Sequence, residues 1–257
     1  MNRQNCPPGP EPGQRARTLA FLGRRFAPNE YLGLHLTVGL LLMMAATAAF
    51  GLIARDVAGG GALTRFDDRL AAALGQHAAG HQTTAWFFRF ATDAGGGSYM
   101  SGLAVGLGLG LVLSGRPLLG CVVLFAMTGG GILDGQLKEL FQRPRPPNPD
   151  PSIHSHTRSF PSGHAMESTV AYGMIAYVLV LHLTRRWARV AAVVGLATLV
   201  LAIGFSRLYL RAHYFSDVVA GFAAGAVWLA VCVSGMEVVR RRHLQRGGGS
   251  PRPVPGP

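Results

Sequence analysis

Phe160-Pro161-Ser162-Gly163-His164-Ala165 is a Pro-Ser-Gly turn that opens directly onto the apolar run 165–184. A helix that starts there leaves several backbone N–H groups without intrahelical partners and carries about +0.5 charge, so a docked anion meets both donors and a favourable dipole. Gly163 lets the backbone come close to such an anion, and Ser162 adds a hydroxyl donor. Taken alone, the turn reads equally well as an ordinary helix cap, because Ser and Pro are common helix-start residues. The rest of the chain decides between the two.

The run 165–184 is one of six, the others being 31–54, 98–113, 118–137, 190–205 and 216–235. With 49% hydrophobic residues, 14% charged ones and 35 glycines in 257 residues, the chain is too apolar and too glycine-rich for a soluble domain of this length. A helix rises 1.5 Å per residue, so a run of about 20 residues crosses the ~30 Å of bilayer hydrocarbon. The first run is longer than the apolar core of a signal peptide and is expected to stay as an anchor. The predicted fold is therefore all-α: a polytopic membrane protein of six transmembrane helices plus a short amphipathic outer-surface helix. That surface helix is expected within 55–97, where Thr64-x-x-Asp67 resembles a capping box and Phe66, Leu70, Leu74 and His77 recur at helical spacing. Gly102, Gly106 and Gly110 repeat every four residues and predict close helix packing. The six-helix domain is expected over 31–236. It is flanked by a disordered basic cytoplasmic tail, 1–30, and a basic Gly/Pro-rich cytoplasmic tail, 237–257.

The net charge is +12, and of the 24 basic residues 23 are arginine and one, Lys138, is lysine. No zinc-finger spacing or aromatic-interleaved basic patch accompanies this excess, so it is read as membrane-surface charge, with no nucleic-acid partner. Cys6, Cys121 and Cys232 are far apart and read as small apolar packers. His77 and His81 are four apart but have no third ligand nearby, and neither metal nor cofactor is expected. Six spans put both termini on one side. Assigning 1–30, Arg116, 185–189 and the C-terminal tail to the cytoplasm leaves fourteen basic residues inside and ten outside. Six of those ten, Lys138, Arg143, Arg145, Arg158, Arg207 and Arg211, cluster in two connections. Charge concentrated on the disfavoured side points to function.

Three segments meet at that outer face. Lys138 and Arg145-Pro146 follow the third span, Pro161-Ser162-Gly163-His164 precede the fourth, and Ser206-Arg207 with His213 and Asp217 join the fifth to the sixth. The prolines from Pro144 to Pro151 forbid helix, so the third helix ends near 138–141. Lys138, Arg145 and Arg207 supply three cations, which suits a phosphoryl group whose equatorial oxygens share charge during transfer. His213 and Asp217, four apart, share one helical face. There the carboxylate can hold the imidazole in one tautomer and leave its other nitrogen free as a nucleophile. His164, on a separate segment, is then available to protonate the leaving oxygen and afterwards to take a proton from water.

The pattern Lys-x6-Arg-Pro, Pro-Ser-Gly-His, Ser-Arg-x5-His-x3-Asp resembles the three-part signature of the phosphatidic acid phosphatase type 2 and haloperoxidase superfamily. It is matched at Lys138, Arg145, Pro146, Pro161, Ser162, Gly163, His164, Ser206, Arg207, His213 and Asp217. The six-span layout is similar to that of the membrane-bound lipid phosphatases of the family. The resemblance implies a metal-independent phosphatase with a phosphohistidine intermediate. By it His213 is the nucleophile, Asp217 its orienting partner and His164 the general acid and base, while Lys138, Arg145, Ser162, Gly163 and Arg207 hold the phosphate. The expected substrate is a lipid phosphomonoester or pyrophosphate: phosphatidate, phosphatidylglycerol phosphate, undecaprenyl pyrophosphate or the phosphates of lipid A. Two alternatives are a phosphotransferase using the same site and a transporter whose polar cavity these charges line. The expected location is the bacterial inner membrane, with the site extracytoplasmic and both termini cytoplasmic. The proline-rich stretch 147–160, with His154, His156 and Arg158, is expected to cover the site, and Glu167 to lie beside His164 at membrane depth. The oligomeric state stays open.

Overall fold

The computed structural model describes residues 31–79, 82–147 and 158–247. The tail 1–30, His81, His154 and His156 lie outside the described residues. Among the described residues eight helices follow in order: α1 (Tyr31–Gly59), α2 (Ala62–Ala79), α3 (Gln82–Asp93), α4 (Gly97–Leu113), α5 (Pro117–Phe141), α6 (Gly163–His182), α7 (Arg186–Tyr209) and α8 (Phe215–Gly247). No strand occurs among the described residues. The chain separates into two units, Met1–Leu42 and Met43–Pro257, and the contacts described below lie within the second.

Among the described residues six stretches are long and apolar enough to cross a membrane: Gly39–Gly59, Thr83–Leu113, Pro117–Phe141, Gly163–His182, Arg186–Tyr209 and Phe215–Arg240. The expected number of spans therefore holds, but the second stretch differs from its expectation. The residues before Ser98 form two helices rather than one short surface helix, and the second of them, α3, is continuous in apolarity with α4. The 17 residues of α4 alone reach only about 25 Å, short of the bilayer core. Arg89, set among Trp86, Phe87, Phe88 and Phe90, masks this continuity in the sequence. The break between α3 and α4 is a tight turn closed by Gly95 N–H to the Thr92 carbonyl at 2.9 Å and Gly96 N–H to the Asp93 carbonyl at 3.0 Å.

Two further expectations are corrected. Thr64 and Asp67 do not form a capping box. The Thr64 N–H donates to Asp56 Oδ1 at 3.1 Å, so Asp56 serves the start of α2 and Asp67 is left to turn inward. Gly102, Gly106 and Gly110 line an outward face, where an added Cβ would meet nothing within 4 Å. The buried stripe of α4 is instead Met100, Ala104, Gly108 and Leu111, and a Cβ on Gly120 of α5 would lie 2.5 Å from the Gly108 carbonyl oxygen. The close contact between α4 and α5 thus runs through a glycine one stripe away from the sequence repeat.

The core is organised around α6, which packs against α4, α5, α7 and α8. Val170 and Met174 join Val123 and Ala126 of α5 and Cys232 and Met236 of α8 in one apolar cluster. Ala171 and Tyr172 join Met100 and Ile203 in another. The first turns of α6 and α8 touch backbone to side-chain position: a Cβ on Gly221 would lie 2.6 Å from the Ser162 carbonyl oxygen, and one on Gly225 2.8 Å from that of Met166. Antiparallel order then brings the end of α5, the start of α6, the end of α7 and the start of α8 to one end of the bundle. Helix α5 stops at Phe141, with Gln142 at φ 48° as its left-handed cap, where the proline-rich stretch begins. Helix α8 continues to Gly247, so the segment expected as a tail from 237 begins as helix.

Candidate active site

The eight sequence-predicted residues come from three connections and gather at that end of the bundle. His213 sits in the turn between α7 and α8, buried, and its imidazole has neighbours on both nitrogens. Nδ1 lies 2.8 Å from the Ser159 carbonyl oxygen, which only accepts, so Nδ1 carries the proton. Nε2 lies 3.1 Å from Arg145 NH1, which only donates, so Nε2 presents its lone pair. Burial, with the cations Arg145, Arg207 and Lys138 nearby, pushes the His213 pKa well below its usual range despite the opposing carbonyl of Ser159. The imidazole is therefore neutral, with a nucleophilic nitrogen facing the cations.

Asp217 does not make the orienting hydrogen bond expected of it. Its Oδ2 is 3.5 Å from His213 Nδ1, beyond hydrogen-bond range. That oxygen instead accepts from the Ser159 hydroxyl and, at 2.9 Å, from the Tyr214 N–H. Asp217 thus holds the residue whose carbonyl holds His213, and acts on the imidazole at one remove. The i, i+4 spacing brings the two side chains to one face, but the backbone carbonyl of Ser159 is closer, and sequence spacing carries no signal for it.

Ser162 is the N-cap residue of α6, with φ −75° and ψ 113°, yet its side chain makes no capping bond. The hydroxyl is buried and makes no hydrogen bond. Gly163 follows, and a Cβ there would lie 2.8 Å from both Asp134 Oδ2 and Lys138 Nζ, so the glycine leaves room for these two side chains against the start of α6. Lys138 pairs with Asp134 one helical turn earlier while bordering the Pro-Ser-Gly turn. Arg145 NH1 donates to the Ala212 carbonyl at 2.7 Å as well as meeting His213. Arg207 is anchored by NH1 donating to Thr92 Oγ1 at 2.7 Å, and its buried Nε makes no hydrogen bond.

His164, at the first turn of α6, lies within electrostatic reach of Arg207, His213, Lys138 and Arg145. A Cβ on Gly95 would come within 3.3 Å of His164 Cδ2, so the α3–α4 turn closes over this imidazole. Two imidazoles, one on α6 and one in the α7–α8 turn, therefore share one set of three cations near the N-terminus of α6. The Ser162 hydroxyl and Arg207 Nε, without hydrogen-bond partners, and the N-terminus of α6 are donors that an anion with acceptor oxygens could use. Thr92, Ser159 and Gly95, which support this arrangement, had no sequence signal, because none belongs to a charged or periodic pattern.

Glu167 does not reach the cluster through any hydrogen bond among those described. It lines a groove of about 440 Å³ with Gly97, Met100, Met127, Thr128 and Gly131, between α4 and α5. Among the described residues no group of three or more His, Cys, Asp or Glu side chains is placed to hold a metal ion.

Two further residues, given no role by the sequence pattern, sit beneath His213. Arg143 donates through NH1 to Asp217 Oδ1 at 2.6 Å and Ser216 Oγ at 2.7 Å, and through NH2 to Asp67 Oδ2 at 2.9 Å. Its guanidinium stacks over the Tyr214 ring at 4.2 Å. Burial works against its charge, but Asp217 and Asp67 outweigh that and raise its pKa.

The sequence profile described as the PAP2 superfamily matches residues 119–241. The chain is 32% identical over 158 residues to phosphatidylglycerophosphatase B of Bacillus subtilis (strain 168), an overlap that covers 60% of this chain and 76% of that one. It is also similar to the crystal structure of a transmembrane PAP2 type phosphatidylglycerolphosphate phosphatase from Bacillus subtilis. That match has a TM-score of 0.71 at 26% identity and covers 77% of this chain and 98% of the other.

Proposed function

The chain belongs to the PAP2 superfamily and is an integral membrane lipid phosphatase, and from that premise we propose that it hydrolyses the phosphomonoester of phosphatidylglycerol phosphate through a phosphohistidine on His213. The observation that carries the site assignment is the pair of buried, unused donors, Ser162 Oγ and Arg207 Nε, set between a neutral His213 and the N-terminus of α6. Buried donors without a protein partner, one of them at an open helix N-terminus, mark a place for a ligand with acceptor oxygens. The names of the two Bacillus relatives favour phosphatidylglycerol phosphate among lipid phosphates.

In the proposed reaction Lys138, Arg145, Arg207, Ser162 and the amides at Gly163 hold three phosphate oxygens. The His213 Nε2 lone pair forms a bond to phosphorus as the bond from phosphorus to the lipid oxygen breaks. His164, protonated once the negative charge of the bound phosphate offsets the three cations, gives its proton to that oxygen, which leaves as the lipid alcohol. Neutral His164 then takes a proton from water, the hydroxide oxygen attacks phosphorus, and the N–P bond breaks. Inorganic phosphate leaves, with His213 neutral and His164 protonated again. Throughout, the Ser159 carbonyl keeps the Nδ1 proton in place.

In the same proposal the phosphatase domain is 31–236, flanked by basic cytoplasmic segments, and the site faces the extracytoplasmic side. An even number of spans and the arginines at 116, 185, 186 and 189, at the opposite helix ends, support this orientation.

The test is phosphate release from phosphatidylglycerol phosphate by detergent-purified protein in EDTA. Wild type is expected to release inorganic phosphate. His213→Ala should lose at least about a thousandfold in rate. Ser162→Ala should lose about ten- to a hundredfold in kcat/KM, the worth of a hydrogen bond to a charged group, with Tm unchanged because the hydroxyl has no protein partner to lose. Full activity in His213→Ala, or labelled phosphate recovered in a second lipid instead of in solution, would overturn the reading.

A further inference from the structure

Asp67 lies on α2, far in sequence from the three connections that build the site, yet it is 1% exposed and accepts three hydrogen bonds beneath the catalytic turn. Its Oδ1 takes the Ser216 N–H at 3.0 Å, and its Oδ2 takes Arg143 NH2 at 2.9 Å and the Ser216 hydroxyl. Arg143, 8% exposed, spends its other terminal nitrogen on Asp217 and Ser216. One guanidinium is thus clamped between carboxylates from two helices, in the planar forked geometry that a lysine cannot reproduce.

The clamp has a direct line to the nucleophile. Asp217, fixed by Arg143, receives the Ser159 hydroxyl; the Ser159 N–H in turn donates to the Arg143 carbonyl at 2.8 Å. Ser159 is therefore held at both its side chain and its amide, and its remaining polar group, the carbonyl, takes the Nδ1 proton of His213. Removing either end of the clamp leaves the phosphate cradle of Lys138, Arg145, Ser162 and Arg207 in place but frees the group that sets the imidazole's tautomer and aim.

We propose that Asp67 and Arg143 are positioning residues for catalysis: through Asp217 and Ser159 they fix the His213 ring with Nε2 toward phosphorus, so that the surface helix α2 is a working part of the active site. The inference rests on the reading of His213 as nucleophile. Its consequence is a separation of chemistry from binding, because the clamp touches the tautomer and not the phosphate.

The experiment compares Asp67→Asn, Arg143→Lys and the double variant in the purified full chain. Asp67→Asn keeps the shape of the side chain and leaves the Arg143–Asp217 pair neutral, so folding is preserved; Arg143→Lys keeps the charge and removes the fork. Each single variant is expected to lose about 10- to 100-fold in kcat, as when a partner orienting a functional imidazole is removed. KM and inhibition by inorganic phosphate, which fills the cradle without a bond to Nε2, should stay within about twofold, and phosphohistidine formation in a single turnover should slow by the same factor as kcat. The double variant should be no slower than the worse single one, since both break one device. A folded Asp67→Asn or Arg143→Lys protein with wild-type kcat, losses that multiply in the double variant, or a loss confined to KM and inorganic phosphate affinity would each overturn the inference. Should His213→Ala keep activity, the underlying reading fails instead; an inactive His213→Ala beside a fully active Asp67→Asn sinks only the role of the clamp.

Discussion

Between the Ser159 carbonyl and Arg145, the His213 imidazole has no choice of tautomer, and its neutrality follows from where it sits. Burial disfavours the imidazolium first, and the Arg145 cation, closest of the three, disfavours it next. A nucleophile whose pKa is depressed stays unprotonated until the pH falls well below the ordinary histidine range, so activity is lost only as the pH drops through that lowered value. Replacing Arg145 with Gln removes a like charge and lets the pKa rise. The acid limb of kcat/KM against pH should therefore move to higher pH in Arg145→Gln than in wild type, both measured on one substrate, in addition to the loss of rate from a missing phosphate ligand. A limb that stays put or moves to lower pH would mean that Arg145 does not govern the state of this imidazole. The same residues show why chemistry read from side-chain types falls short: Arg143 and Arg145 are two residues apart with the same side chain, yet one faces Asp67 and Asp217 and the other His213.

At the scale of elements, the site depends on how closely α6 lies against α8 and α5. Gly221 and Gly163 are positions where a side chain has no room, the first against the Ser162 carbonyl and the second against Lys138 and Asp134. Gly221→Ala forces its Cβ to within 2.6 Å of a backbone oxygen, which the first turn of α6 can relieve only by moving. The expected result is a loss of about 1–3 kcal/mol in stability, seen as a lower Tm in detergent, together with reduced phosphatase activity because Ser162 shifts with the turn. Gly106→Ala, on a face where the added carbon meets nothing within 4 Å, should leave both unchanged. Equal effects at the two positions would contradict this assignment of packing faces. The GxxxG repeat in α4 was legible as a pattern but not as a contact, because spacing marks a shared face without saying what the face meets.

For the whole molecule, the question is which side of the membrane the site faces. Arg158 is exposed beside the Pro-Ser-Gly turn, and Arg185 lies at the opposite end of α6, about 30 Å away by the rise of a 20-residue helix. In a background free of Cys6, Cys121 and Cys232, Arg158→Cys should react with an impermeant thiol reagent applied to intact cells, and Arg185→Cys only after permeabilisation. The reverse labelling would invert the proposed topology. The proposed orientation rests on charge asymmetry in the chain, since translocating arginines is costly and fourteen of the 24 basic residues fall in the segments assigned to the cytoplasm.

The amino-acid sequence by itself determined the helical class, the count of six spans and the identity of the basic and histidine residues that gather at one end of the bundle. Long apolar runs with few charges satisfy their backbone in a bilayer as helices, and the basic and histidine residues near their ends stand at readable spacings. What only the tertiary structure decided is how those groups are held: that Ser159 and not Asp217 takes the His213 proton, that Thr92 anchors Arg207, and that Asp67 of α2 reaches Arg143. These partners are a backbone carbonyl, a lone threonine and an aspartate 76 residues from its cation. Burial makes each buried polar group take whatever partner the packed helices bring within about 3 Å, and nearness in space across helices leaves no period in the chain.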